Sequence, residues 1–117
     1  MLRDKHGFES AYWDLQAEKI FPDDDKRAVR DNWWKRQRLV QKLLDYDFQG
    51  ASVLEIGCGA GVTAHILLSV HGGLFQYIGT DVSGKFAKRA SEIFNLTTLV
   101  CRGENLPFAD HTFDCCF

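Results

Sequence analysis

Glu55, Gly57, Gly59, Gly61 and Asp81 are the residues of this 117-residue chain whose types and spacing could do chemistry. In Glu55-Ile56-Gly57-Cys58-Gly59-Ala60-Gly61, glycine recurs at every second position. Residues without a Cβ let the chain turn sharply and let a ligand touch main chain directly. A carboxylate at the entrance of such a loop suits a cation and repels a diphosphate. Asp81 lies twenty residues beyond Gly61, in Gly79-Thr80-Asp81-Val82, and adds a second acid. An ionised carboxylate there accepts two charge-assisted hydrogen bonds from a ribose diol. The plainer alternative for Asp81 taken alone is an acid near the start of a helix that opens at Ser83.

Spacing separates the cofactors that use glycine loops. The dinucleotide fingerprint G-x-G-x-x-G needs glycine at position 62, where this chain has Val62. A phosphate-cradling P-loop needs G-K-[S/T] after the glycines, and none follows. A nicotinamide-dependent oxidoreductase is therefore disfavoured.

To present the two acids and the glycines together, the chain must alternate strands and helices. Ser52 to Ile56 reads as a buried strand, and Gly61 to Val70 as a helix with Val62, Ile66 and Val70 on one side, closed by Gly72 and Gly73. Phe75 to Thr80 is a second strand, with Asp81 just beyond it. Ser83 caps a second helix with Phe86, Ala90, Ile93 and Phe94 on one face; Thr97 to Cys101 and Phe113 to Phe117 read as strands three and four. Strands alternating with helices of about ten residues predict an α/β fold, a parallel sheet with helices on its faces. Upstream, residues 1–30 form a polar and aromatic leader broken by Pro22 and Asp23 to Asp25. From Asp31 the spacing predicts an amphipathic helix carrying Trp33, Val40 and Leu44. The expected organisation is a leader or cap over residues 1–30 and one domain portion over 31–117.

Composition narrows the classes. With 45% hydrophobic residues, 26% charged residues and a formal charge of -2, the chain offers no general attraction to nucleic acid or acidic membranes. The first ten residues have no apolar core behind their charges, and no stretch reaches the roughly 18 apolar residues of a membrane span. A cytoplasmic location is expected, with Cys58, Cys101, Cys115 and Cys116 as reduced thiols. No C-x-x-C occurs, and Cys115 and Cys116 would point to opposite faces of a strand, so no metal is expected. His6, His65, His71 and His111 are isolated, reading as surface or capping residues. Tyr12 and Trp13 read as a hydrophobic patch anchoring the leader.

The loop Glu55 to Gly61 resembles the first motif, E-x-G-x-G-x-G, of the class I S-adenosylmethionine-dependent methyltransferases. The segment Gly103-Glu104-Asn105-Leu106-Pro107-Phe108-Ala109-Asp110-His111-Thr112-Phe113-Asp114 is similar to the A-E-x-L-P-F-x-D-x-x-F-D pattern of the ubiquinone and menaquinone biosynthesis-type enzymes and their small-molecule relatives. The resemblance covers residues 53–114 and implies a Rossmann-like fold with its four strands in the order 3-2-1-4, S-adenosyl-L-methionine as cofactor and a small-molecule acceptor. It places Gly57, Cys58, Gly59 and Gly61 along the methionine and ribose portion, with Glu55 orienting the loop and the amino end. It also places Asp81, with Val82 after it, at the ribose, Gly103 and Glu104 at the adenine, and Asp114 at the start of strand four. Arg102 departs from the pattern: the family often has an acid or amide there, and a guanidinium cannot accept from the adenine amino group. The resemblance names no catalytic residue and no acceptor atom. The family's fold continues past four strands, so the expectation is a chain truncated after strand four, with an open sheet edge that permits association with another chain. The alternative expectation is a non-catalytic remnant that binds the cofactor weakly or only pairs through that edge.

Overall fold

Ser52–Ile56 forms the strand from which the glycine loop departs, and the rest of the fold is arranged around it. The computed structural model describes residues 5–20, 40, 42–43, 45–71, 73 and 75–117. Along the chain these give α1 (Lys5–Ile20), β1 (Ser52–Ile56), α2 (Val62–Val70), β2 (Gln76–Asp81), α3 (Gly84–Phe94), β3 (Thr98–Val100) and β4 (Cys115–Cys116). The four strands are parallel, in the order β3-β2-β1-β4 that the sequence predicts.

Val53 and Tyr77 are register partners, so their side chains share one face of the sheet. Against that face pack Ala64 and Leu67 of α2 and Ala90 of α3, joined by Phe48, Phe75 and Leu96 in one buried cluster. α2 and α3 thus lie on the same face. Two successive right-handed crossovers that step the same way along a sheet must land on the same side. On the other face Leu54, buried, lines a cleft shared with Leu106, Phe108 and Phe113 of the loop between β3 and β4.

The expected helix boundaries hold to within a residue or so, and the end signals act as chemistry requires. Ser83 caps α3 by accepting from Phe86 N at 3.2 Å, and Asn95 closes it in the left-handed region, φ 55°. After α2 the Gly73 N–H returns to Leu68 O at 2.9 Å with φ +70°. Of the helix expected from Asp31, Val40 and Leu43 are buried and Lys42 is exposed, which fits its amphipathic pattern; Trp33, Trp34 and Leu44 lie outside the described residues, as do Pro22 and Asp23 to Asp25. Regular β4 is only two residues, yet its ladder runs on: Asp114 N donates to Ser52 O at 2.9 Å and Ile56 N to Phe117 O at 2.7 Å.

Asp114 stands at the start of this ladder, away from the glycine loop. Its carboxylate accepts from Ser52 N at 2.9 Å and Ser52 Oγ at 3.1 Å, which holds its pKa below the ordinary value. A depressed folded pKa contributes stability that is present above the unfolded pKa, near 3.9, and is lost as pH falls through the folded one. Asp114→Asn is therefore expected to be less stable than wild type at neutral pH, with the gap narrowing only below about pH 4. Urea midpoints of the two proteins between pH 7 and pH 3 check this; a gap independent of pH contradicts it.

Candidate functional site at the carboxyl edge of the sheet

The loop 57–61 leaves β1 at the carboxyl edge of the sheet, and its three glycines all sit in the left-handed region: Gly57 at φ 75°, Gly59 at 56° and Gly61 at 86°. The reasons for bare backbone differ. A Cβ on Gly57 would meet nothing within 4 Å, so this position opens outward. A Cβ on Gly61 would stand 2.6 Å from Leu96 Cδ1 and 3.0 Å from Ala90 Cβ, so this glycine serves the packing of α2 against α3 and Leu96. The loop's amides are turned inward. Gly57 N and Cys58 N both donate to Thr80 O at 2.8 Å, Gly61 N to Cys58 O at 3.1 Å, and Gly59 N to Asp81 Oδ2 at 2.9 Å.

Asp81 is the last residue of β2 rather than the first beyond it, because it pairs with Val100 and its carbonyl accepts from Cys101 N at 3.0 Å. Its carboxylate, 9% exposed, ties two segments together: Oδ2 takes Gly59 N and Oδ1 takes Ser83 N, both at 2.9 Å. Loop and helix entrance are thus held by one acid. Val82 lies next to it, and its carbonyl accepts from Ser10 Oγ of α1 at 3.2 Å. Asp14, one turn further along α1, accepts from Ser83 Oγ and, at 3.2 Å, from Lys85 N. Ala17, another turn on, packs among Ala60, Val62 and Phe86. The leader is therefore anchored by Ser10, Asp14 and Ala17, at helical spacing, while Tyr12 and Trp13 stay about half exposed with their rings edge to face at 5.1 Å.

Beneath the loop lies a buried polar cluster. Glu55 is 4% exposed, and its Oε1 accepts from the Tyr77 hydroxyl at 2.6 Å. Burial first, and then the Glu55 carboxylate, push the Tyr77 phenol well above its ordinary range, so it stays protonated. Cys58 is 1% exposed; burial, then Glu55 and Asp81, push its thiol up to about 12. A thiol so placed is no nucleophile at neutral pH. Tyr77 was not singled out in the sequence, since a tyrosine within an apolar strand reads as core.

Gly103 and Glu104 follow Cys101 into an exposed turn closed by Asn105 N to Arg102 O at 3.1 Å. A Cβ on Gly103 would sit 3.0 Å from Ile56 Cγ2, so the turn lies against the end of β1. Both residues line a cleft of about 380 Å³ together with Phe108, Phe113, Leu54 and Cys116. Of the expected site residues, Gly59 and Asp81 are joined by a hydrogen bond, with Val82 next in the chain, while Gly103 and Glu104 lie along the cleft. His71 is the C-cap of α2, as expected, its N–H donating to Leu67 O at 2.9 Å, and its ring packs edge-on to Phe48 at 5.1 Å; His65 stacks on Phe94 at 4.4 Å, an aromatic role where a surface or capping one was expected. Among the described residues no group of three or more His, Cys, Asp or Glu is placed to hold a metal ion, and no helix is long and apolar enough to cross a membrane.

Residues 53–117 match the family described as "Methyltransferase domain". Over 114 residues the chain is 31% identical to the uncharacterized protein MJ1252 of Methanocaldococcus jannaschii, covering 96% of this chain and 39% of that protein. The chain thus spans about two fifths of that relative's length. Among solved structures, the fold matches the complex between the Haloferax volcanii Trm112 methyltransferase activator and a methyltransferase, with TM-score 0.68, 20% identity, and 92% of this chain and 45% of that one covered. It also matches magnesium protoporphyrin IX methyltransferase from Synechocystis PCC 6803 with bound S-adenosylmethionine, with TM-score 0.67, 18% identity, and 98% of this chain and 61% of that one covered.

Proposed function

We propose a function from one premise: the chain belongs to the methyltransferase domain family, matched over residues 53–117. In this reading residues 31–117 are the cofactor-holding part of a class I S-adenosylmethionine-dependent methyltransferase and residues 1–30 its cap. The observation that carries it is the inward turn of the loop. The amides of Gly57, Cys58, Gly59 and Gly61 all donate within the protein, so at these positions the loop has no cradle for phosphate oxygens. Glu55 and Asp81 meanwhile bring two acids to the same edge. A nucleoside with a positive charge fits this arrangement, and a dinucleotide does not.

In the proposal Gly57, Cys58, Gly59 and Gly61 build the loop along the methionine and ribose portion. Asp81 and Val82 stand at the ribose, Gly103 and Glu104 at the adenine, and Glu55 backs the loop towards the amino end. Bound S-adenosyl-L-methionine supplies an activated methyl group for displacement by the acceptor's nucleophile. The chain's residues contribute position and alignment, which supply much of the barrier reduction in such a transfer. The acceptor in this reading is a small molecule, supported by the likeness of the Leu106-Pro107-Phe108 segment to small-molecule enzymes. A partner protein belongs to the proposal as well: the Haloferax methyltransferase was solved with an activator, and here edge strand β3 leaves Leu99 and Val100 exposed.

Isothermal titration with S-adenosylmethionine, S-adenosylhomocysteine and NADH tests the reading. Saturable binding of the first two and none of the third is expected. Preference for NADH, or no binding of any of them, counts against it.

A further inference from the structure

We infer that Tyr77 is a positioning residue of this site: its hydroxyl fixes the Glu55 carboxylate beneath the glycine loop, aimed at the cationic end of the cofactor. The inference rests on the S-adenosylmethionine reading above. Tyr77 and Gly79 are two residues apart on β2 and so share a face, and Gly79 is the register partner of Glu55. The phenol lies along the strand over Gly79: a Cβ there would stand 2.5 Å from Tyr77 Oη, 2.9 Å from Cys58 Cβ and 3.1 Å from Cys58 Sγ. The missing side chain at position 79 is the slot through which the hydroxyl reaches Glu55 Oε1, at 2.6 Å. A glycine within a strand commonly marks such a close approach.

Among the described residues, the titratable groups facing this pair are Cys58 from the loop and Asp81 from the end of β2. The core side chains of α2 and α3 on this face, Ala64, Leu67 and Ala90, carry no charge. Asp81 has the same sign as Glu55 and offers it no donor, and the neutral Cys58 thiol is only a weak donor, turned to Gly59 O at 3.5 Å. Removing the hydroxyl disfavours the ionised carboxylate and raises its pKa. The partner of a cationic ligand is then lost progressively as pH falls.

The experiment uses Tyr77→Phe, Glu55→Gln, the double variant and Gly79→Ala, each titrated with S-adenosylmethionine from pH 5.5 to 8.5. Tyr77→Phe is expected to bind roughly tenfold more weakly at pH 7.5, the scale of one hydrogen bond to a charged group, with a pH profile displaced upward from wild type. In the Glu55→Gln background it should cause no further loss. Gly79→Ala, which keeps the hydroxyl but fills its slot, should displace the profile in the same direction. Carbon-13 NMR of the glutamate carboxyls in ligand-free protein gives an independent reading: the Glu55 titration moves up in Tyr77→Phe. An unmoved titration, or an equal loss with and without Glu55, overturns the inference. Failure of wild type to bind S-adenosylmethionine counts instead against the functional reading, and the NMR arm still decides the role of Tyr77.

Discussion

Asp81→Asn is expected to weaken S-adenosylmethionine binding by about 10- to 100-fold, the effect of losing one to two charge-assisted hydrogen bonds. The carboxylate now accepts from Gly59 N and from Ser83 N, one oxygen each, at 2.9 Å. An asparagine keeps one acceptor and presents an NH2 group where the other stood. Whichever way the amide turns, a donor then faces a backbone donor, at the loop or at the start of α3. The proposed ribose contact loses its charge in the same step. Titration calorimetry on the variant measures the affinity, and thermal unfolding reports the loosened loop. An affinity within about twofold of wild type would remove Asp81 from the site and leave it as a cap for loop and helix alone.

Gly61→Ala should be strongly destabilising for a single added methyl. At φ 86° an L-residue pays about 1–2 kcal/mol, and the new Cβ collides with Leu96 and Ala90, where overpacking costs about 1–3 kcal/mol. Against a total stability of about 5–15 kcal/mol, a sum near 3 kcal/mol should lower the unfolding midpoint by roughly 10 °C or more. Gly57→Ala is the control. It shares the left-handed backbone, φ 75°, but its Cβ would enter open space, so it should cost only about 1 kcal/mol of stability while obstructing the ligand. Circular dichroism melts and binding isotherms for both variants separate the two roles. Equal melting temperatures would show that Gly61 is not a packing glycine.

The elements of the sheet were legible because each strand carries its own apolar run and the second helix its own cap at Ser83, and their order followed from the motif resemblance. What could not be read were relations across the chain. Three evenly spaced glycines look alike on the page, and only the distance from Gly61 to Leu96, thirty-five positions on, separates packing from openness. Asp81 was placed past the end of its strand because nothing local announces that Val100 will pair with it. Tyr77 looks like any aromatic in a buried strand until Gly79 and Glu55 are seen beside its hydroxyl. α1 shows no apolar stripe: it docks through a serine, an aspartate and an alanine, residues that no hydrophobic pattern selects.

One carbonyl, that of Thr80, takes two consecutive loop amides, from Gly57 and Cys58, while the next amide is held by Asp81. The shape of the turn is thereby decided during folding instead of at encounter with a ligand. Little conformational entropy is left to surrender when a small molecule arrives, so discrimination among nucleosides rests on fit to a finished surface rather than on a loop wrapping around whatever comes.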